Sequence, residues 1–431
     1  MNIRKPSIFA LLYLSGSKIP RNLKEIKKVS KLSNEEAKKY QDKKLKKLVL
    51  YSWENVPYYK KILEKSRVVV NGKVNLNNYS RIPILTKEII KKEGKNLYSK
   101  EKRKGVFENT SGGSTGEPVR FLQDKEYDEW NKANKIFYKI VAGQDIGEIE
   151  LRFWGSERDL LEGKETPKIR FRNWAYNRKE FNTFKMSEKE MLDYVKKWNE
   201  YNPSWVESYV QSIYEFAKFI EKNKLKIKSP ENGILTSAGT LYLEMKETLE
   251  RVFRCKVYNR YGSREVGDLA CGSDKLKISF WNQKVEIINK KVYVTNLNNY
   301  SMPLIRYEIG DMAEFGKNEF ELGKVLGRVN NMVKTSKGIV DSAAITSALY
   351  FDLKGKLFTS FSKYQLIQKK KDEFELKIVV SDKGKWTKDQ RDIENVMKSI
   401  LGKEISFKFK EVKEIESLKS GKYEYIRSDI K

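Results

Sequence analysis

Residues 110–118 read TSGGSTGEP, the stretch of this chain whose residue types most plainly suit a chemical task. Three hydroxyl residues, Ser111, Ser114 and Thr115, are interleaved with Gly112, Gly113 and Gly116. Glycine tolerates positive φ and carries no side chain, so neighbouring backbone N–H groups can converge on one concavity. Hydroxyls add donors that suit phosphate oxygens. No Gly-Lys-Ser/Thr closes the stretch, so it is not a Walker A loop. A polyphosphate cradle of another kind is expected, with a plain glycine-rich turn as the competing reading.

The chain has no histidine. That excludes Ser-His-Asp and Cys-His catalysis, histidine general bases and histidine metal ligands. Chemistry must come from Lys, Arg, Glu, Asp, Ser, Thr, Tyr or Cys, and Mg²⁺, which takes oxygen ligands, is the expected metal. Two cysteines, Cys255 and Cys271, make neither a disulfide framework nor a four-cysteine metal site, and a reducing cytoplasm is the simpler compartment.

Four further segments have residue types that a nucleotide site needs. Ala238-Gly239-Thr240 follows a strand predicted over 232–237, at a carboxyl end of a sheet, where open α/β folds bind ligands. Tyr261-Gly262-Ser263-Arg264-Glu265 follows a strand predicted over 256–260 and brings an aromatic face and a carboxylate to the same edge. Gly310-Asp311 follows Arg306-Tyr307-Glu308-Ile309, and an aspartate there suits the two hydroxyls of a ribose. Gly327-Arg328 comes soon after. Taken singly, each reads as an ordinary turn.

The elements that must position these residues alternate. Helices are predicted over 34–52, 126–142, 187–199, 212–223 and 243–253, and strands over 151–154, 205–208, 232–237 and 256–260. This alternation implies parallel α/β layering. Strand patterns follow at 285–288 and 291–296, and a hairpin is expected around the glycine loop. Beyond a boundary placed near residues 327–331, strands at 374–380 and 405–409 flank a helix at 388–401, the pattern of a small α+β module. The fold class is therefore α/β, with a large domain over 1–327 and a small one over 328–431. Residues 8–14 form a short apolar run, read as a buried N-terminal helix or a surface contact. Phe137, Tyr138, Trp154 and Trp174 are candidate pocket aromatics, each equally suited to a core.

The 431 residues are 39% hydrophobic and 12% aromatic, a globular composition. No apolar run reaches the length of a membrane span. The formal charge of +29 comes from lysines spread along the chain, without a nucleic-acid-binding motif, so a solvated basic surface is expected and no specific nucleic-acid partner. A homodimer is the expectation from the frequency of such assemblies.

As an ordered set, the glycine loop, YGSRE at 261–265, RYEIGD at 306–311 and GRVNN at 327–331 resemble the adenylate-forming enzyme superfamily. The closer resemblance is to its phenylacetate–CoA ligase branch and the CapK-like proteins linked to capsular polysaccharide genes, and it covers most of residues 35–431. FNTFKM at 181–186 and residues 205–214 add to it. The resemblance implies an acyl-CoA synthetase-like fold whose small C-terminal domain is a mobile lid. It implies an ATP-dependent ligase that joins a small carboxylic acid to AMP, releases pyrophosphate, and passes the acyl group to CoA or to an amine, hydroxyl or amino-sugar acceptor. A non-catalytic nucleotide-binding partner of the same fold is the alternative. Ser111, Gly113, Ser114, Thr115 and Gly116 would hold the β- and γ-phosphates, Thr115 next to the chemistry. Ala238, Gly239, Thr240 and Tyr261, with Gly262 and Ser263, would frame the adenine. Glu265 would bind Mg²⁺, Asp311 the ribose diol, and Arg328 would assist. Lys422, in Ser420-Gly421-Lys422, would be the catalytic lysine, with Lys419 as competitor. The GRxD pattern of the superfamily is altered by Asn330, with Asn331 beside it. Only Cys271 remains of the Cys/His metal site found in some relatives, so no zinc is expected.

Overall fold

Along residues 150–153 charged and apolar side chains alternate, and the two sets part to opposite faces of one sheet. The computed structural model describes residues 3–110, 119–154, 167–183, 186–328, 333–336, 338–340, 345, 349, 358, 360–415 and 425–430. Helices α1 (Arg4–Leu14), α2 (Ile19–Val29), α3 (Asn34–Asn55) and α4 (Pro57–Lys65) come first. A capping box between Ser33 and Glu36 starts α3, and Pro57, at the first turn of α4, separates the two helices. A small ribbon, β1 (Val69–Val70) with β2 (Lys73–Val74), and α5 (Lys87–Glu93) lead to the hairpin β3 (Phe107–Thr110) and β4 (Arg120–Gln123). Helix α6 (Lys125–Val141) follows, N-capped by Asp124.

The α/β body then runs through β5 (Glu150–Trp154), α7 (Pro167–Ala175), β6 (Arg178–Asn182), α8 (Glu188–Tyr201), β7 (Trp205–Tyr209), α9 (Val210–Lys222), β8 (Gly233–Ser237), α10 (Leu243–Phe253) and β9 (Val257–Ser263). These strands are all parallel and lie side by side in the order β6-β5-β7-β8-β9. The sheet is extended by β10 (Gly267–Gly272), β11 (Leu276–Ile278), β12 (Gln283–Ile288), β13 (Lys291–Asn296), β14 (Tyr307–Phe315) and β15 (Glu321–Arg328), in the order β12-β13-β14-β15-β11-β10-β9.

One face of the parallel strands is apolar. Leu151, Phe153, Phe181, Val206, Ile234 and Val257 pack against Trp198 of α8, Ile213 and Phe216 of α9, and Leu249 and Phe253 of α10. The other face bears charge. Glu150 and Arg152 of β5 alternate with the core residues, and the register sets Glu150 opposite Arg178 and Arg152 opposite both Glu180 and Glu207. Arg178 reaches Glu150 at 2.9 Å, Arg152 reaches Glu180 and Glu207 at 3.2 Å, and Arg260 reaches Glu207 at 2.8 Å. Lys139 comes down from α6 onto Glu150 at 2.9 Å and Glu207 at 3.4 Å, and Asp268 closes on Arg260 at 3.7 Å. Burial alone would raise the Glu207 carboxyl, yet Arg152, Lys139 and Arg260 hold it well below the usual carboxylate range. Glu150 is likewise held low, against burial, by Lys139 and Arg178.

The chain divides into two compact units. The larger comprises Met1–Leu241, Lys246–Ile309 and Ala313–Lys324, and the smaller Tyr242–Met245, Gly310–Met312 and Val325–Lys431. The smaller holds the ribbon β16 (Val333–Thr335) with β17 (Gly338–Val340). It also holds an antiparallel pair, β18 (Phe361–Lys370) and β19 (Glu373–Val380), flanked by helix α11 (Lys383–Leu401) and by parallel neighbours β20 (Ser406–Glu411) and β21 (Ile426–Ser428). Trp386 of α11 meets Phe361 and Phe409 edge-on and donates from Nε1 to Glu411 at 3.0 Å.

The structure departs from the sequence reading at the start of one helix and the end of one strand. Helix α11 begins five residues before 388, because Asp382 caps it by accepting from the Lys385 N–H. Strand β9 continues through Tyr261-Gly262-Ser263 and does not end at 260. Of the two readings of the apolar N-terminal run, the surface one fits: it is a helix that buries only Ile8.

Replacing Glu207 by Gln removes the buried carboxylate that Arg152, Arg260 and Lys139 share, and leaves Arg152 with Glu180 and Arg260 with the more distant Asp268. It is expected to lower the unfolding free energy by about 3–5 kcal/mol in denaturant titrations. Because the folded-state carboxyl lies below its reference value of 4.5, its contribution is fully present above that pH and is lost as pH falls through the depressed value. The acid limb of the stability curve should therefore flatten in Glu207→Gln. A loss under about 1 kcal/mol with an unchanged acid limb would show that the lattice does not stabilise the sheet.

Candidate functional site

The flanks of the glycine loop are fixed by the hairpin. Thr110 of β3 pairs with Arg120 of β4, and Phe107 with Gln123. Val119 and Phe121 are buried, which anchors the apolar side of β4. Met302 Sδ accepts from the Leu122 N–H at 3.4 Å, and Asn299 donates to the Leu122 carbonyl at 2.9 Å. The key contact is made by Gln123. Its Nε2 donates to the main-chain carbonyls of Arg264 and Glu265, at 2.9 and 3.3 Å, while its Oε1 accepts from Asn109 at 3.2 Å. One buried side chain thus links both strands of the hairpin to the YGSRE segment, 141 residues further along the chain.

Asp124, almost wholly buried, does the same for the next turn. Its carboxylate accepts from the Tyr127 N–H at the start of α6, from the N–H groups of Tyr300 and Ser301 at 3.1 and 3.0 Å, and from Arg103 Nε at 3.4 Å. Neither Gln123 nor Asp124 was singled out from the sequence. The run Gln123-Asp124 just before an amphipathic helix is a capping signal, but nothing local announces its distant partners.

Glu265 sits in the turn between β9 and β10 and is 7% exposed. The turn demands its glycines. A Cβ on Gly262 would lie 2.5 Å from the Gly267 carbonyl oxygen, and Gly267 has φ +82° with its Cα facing Asn131 and Tyr127. Ser263 Oγ is buried with no hydrogen-bond partner among the described residues. At the adjacent strand end, Ser237 of β8 pairs with Arg260 of β9. Ala238-Gly239-Thr240 therefore leaves the sheet beside Tyr261, with Ala238 in the left-handed region at φ 61°. That conformation is rare for a residue with a Cβ and turns the backbone sharply at the carboxyl edge of the parallel strands. Two further aromatics close this edge: Trp154 lies on Tyr209 with ring centroids 4.2 Å apart, and Arg152 stacks over Trp154 at 4.4 Å. Trp154 is thus an edge aromatic, whereas Tyr138 is buried in a core cluster and Trp174 is exposed.

The larger unit thus brings together the hairpin bearing the loop, Ala238–Thr240 and Tyr261–Glu265. Asp311 is buried in β14, next to Gly310 at φ +82°, and these two residues group with the smaller unit. Arg306 of the same motif is structural: its guanidinium binds Glu286 at 3.1 Å and donates to the carbonyls of Ser80 and Ile82. Arg328 is the last backbone position of β15. Ser111, Gly113, Ser114, Thr115 and Gly116 lie outside the described residues, as do Asn330, Asn331, Lys419 and Lys422. Burial pushes the thiols of Cys255 and Cys271 up to about 12, so neither is a nucleophile at neutral pH.

With this geometry in hand, the relatives of the chain are informative. Residues 332–429 match the CapK C-terminal domain family. The chain is 24% identical over 415 residues to Protein CapK of Staphylococcus aureus, covering 91% of this chain and 89% of that one. Among solved structures it is similar to 2-hydroxyisobutyryl-CoA ligase in its postadenylation state, bound to R3-HIB-AMP. That match has a TM-score of 0.69 and 15% identity, covering 93% of this chain and 90% of the ligase. The amide bond synthetase McbA from Marinactinospora thermotolerans is a more distant match, at TM-score 0.50 and 11% identity, over 72% of this chain and 66% of that chain. Residues 332–429 are thus similar to the CapK C-terminal domain family, the chain resembles Protein CapK along most of its length, and its fold is that of the 2-hydroxyisobutyryl-CoA ligase.

Proposed function

We propose that the protein activates a small carboxylic acid with ATP, forming an acyl-adenylate and pyrophosphate, and then transfers the acyl group to a nucleophile. The observation that carries this reading is the Gln123 link. It holds a hairpin whose connecting sequence suits polyphosphate against the backbone of a turn that contains the buried carboxylate of Glu265.

In this reading an oxygen of the substrate carboxylate attacks the α-phosphorus, and the bond from that phosphorus to the pyrophosphate oxygen breaks. Two anions must meet, so the protein's task is positioning and charge stabilisation, which needs no histidine. Ser111, Gly113, Ser114, Thr115 and Gly116 hold the leaving pyrophosphate. Tyr261 and the backbone of Ala238, Gly239 and Thr240 frame the adenine, with Gly262 giving the close approach and Ser263 Oγ a free hydroxyl to offer. Asp311 accepts from the ribose hydroxyls, Arg328 assists, and Lys422 meets the charge at the α-phosphate from the lid at 328–431. The buried carboxylate of Glu265 would hold Mg²⁺, which takes oxygen ligands and would supply positive charge to neutralise the phosphates. In the second step a thiol, amine or hydroxyl attacks the acyl carbon and AMP leaves. CoA is the default acceptor; an amine or amino-sugar acceptor would fit a place in polysaccharide assembly.

Pyrophosphate release from Mg·ATP, measured across a panel of carboxylic acids with hydroxylamine as trap, tests the first step. Release should depend on one acid class and fall by about 10²–10³-fold in Lys422→Ala, with ATP binding retained. Glu265→Gln should shift the Mg²⁺ titration to higher concentration. Release that is independent of every acid, or full activity in Lys422→Ala, would overturn the respective assignment.

Gln123→Ala removes the link between hairpin and turn. Losing its hydrogen bonds, at about 1 kcal/mol net, should raise the KM for ATP about fivefold and leave the KM for the acid unchanged. Equal changes in both would show that Gln123 serves general stability alone.

A further inference from the structure

Helix α1 has the wrong outward face for a helix in water. Ile8 is buried, and Phe9 and Leu12 pack on a core that includes Ile19, Leu23 and Ile26 of α2 and Trp130 and Ala133 of α6. A charged strip is expected on the side away from that core. Instead Ile3, Leu11, Tyr13 and Leu14 are 70%, 55%, 65% and 85% exposed. The helix contains no acidic residue, although the chain has 58 of them.

Helix α7 repeats the pattern. Its sequence, PKIRFRNWA, also lacks any acid and exposes Phe171 at 61% and Trp174 at 67%, with Arg170 and Arg172 exposed between and beside them. The two helices are joined: Arg4 of α1 donates to the Trp174 carbonyl and lies 5.6 Å over its indole ring. Lys5, by contrast, turns to Asp145 at 2.6 Å. These two helices and the cap residue Ile3 hold six of the thirteen large apolar side chains that are exposed among the described residues, so the exposure is concentrated and not scattered.

We infer that α1 and α7 form a docking surface for an anionic lipid bilayer, lying in its interface. At eleven residues α1 is about 16 Å long, half of what crossing a bilayer requires. Among the described residues no helix is long and apolar enough to cross a membrane. The composition suits the interface: aliphatic side chains to enter the acyl boundary, Tyr13 and Trp174 for the headgroup level, and Arg4, Arg170 and Arg172 for anionic headgroups. A second copy of this chain is a poor occupant, because each copy has a formal charge of +29 and neither helix has an acid to meet the partner's cations. This inference does not depend on the adenylation reading.

Flotation of the full chain with phosphatidylcholine vesicles, with and without about 30% phosphatidylglycerol, tests it at about 0.15 M salt. The protein should float only with the anionic vesicles. Leu11→Asp with Leu14→Asp, and separately Phe171→Ser with Trp174→Ser, should each reduce the bound fraction at least about tenfold. Lys408→Gln with Lys410→Gln, which changes the net charge by the same two units as the Leu11→Asp and Leu14→Asp pair and lies on exposed positions of β20, should change it less than about twofold. Two independent variants guard against a folding defect in either helix, and thermal unfolding of each checks for one. Absence of flotation, or equal loss in the β20 control, would overturn the inference. So would a dimer in sedimentation velocity that the Leu11→Asp and Leu14→Asp pair dissolves, since a second copy would then cover the face.

Discussion

The charged face of the parallel sheet is the constraint on which the larger unit depends. Lys139, Arg152, Arg178 and Arg260 are set against Glu150, Glu180, Glu207 and Asp268, so the lattice is balanced. Charges buried this deeply are costly unless each one meets its opposite, and the attraction only offsets the desolvation when geometry is good. The strand register provides that geometry, since Glu150 faces Arg178, and Arg152 faces Glu180 and Glu207, directly across the strands. A slip of one residue would turn these charges into the apolar core and Leu151 and Phe153 out of it. The lattice therefore favours one alignment of β6, β5, β7 and β9 over any neighbour. The backbone turns at the carboxyl edge, Ala238 and Tyr261 among them, inherit their positions from that alignment.

A second polar network transmits this order to the hairpin. Asp124 and Gln123 are adjacent in sequence but serve different partners: one gathers the N–H groups of Tyr300, Ser301 and Tyr127, the other reaches the carbonyls of Arg264 and Glu265. Asn299 adds a bond to Leu122. A loop built from glycine and small hydroxyl residues has little intrinsic preference for one shape. If the segment between β3 and β4 binds an anion as proposed, fixed flanks held by side chains that are themselves buried and satisfied lower the ordering cost of that step.

The sequence made the architecture legible wherever local periodicity was strong. Leu151 and Phe153 alternate with Arg152, and a strand follows from that period of two; the helix over 243–253 is likewise written in its 3.6-residue repeat. The motif segments were legible too, because glycine, aspartate and arginine are grouped at predicted strand ends. What stayed hidden was long-range. Strand β9 runs past 260 because Gly262 permits close approach to Gly267 and Asp268 across a hairpin, a fact set by the partner strand and not by local propensity. Arg306 reads as a motif residue, yet it spends its donors on Glu286 and the carbonyls of Ser80 and Ile82. The charged lattice escaped for the same reason: Glu150, Arg178 and Glu207 look like solvent-facing residues until the sheet sets them side by side.

Charge is read differently once it has a location. Along the sequence the lysines are dispersed, which argues for a solvated basic surface. In the folded chain the charges fall into distinct environments. Some are buried and paired, as on the sheet, and these are neutral in sum. Many on the outer helices form pairs one turn apart, such as Lys38 with Asp42 and Lys132 with Asp128, which contribute little to stability. On α1 and α7 cations stand among exposed apolar side chains with no acid in either helix. Only in that third environment do charge and apolar exposure point to the same partner, because water suits the cations alone, whereas an anionic bilayer surface suits both.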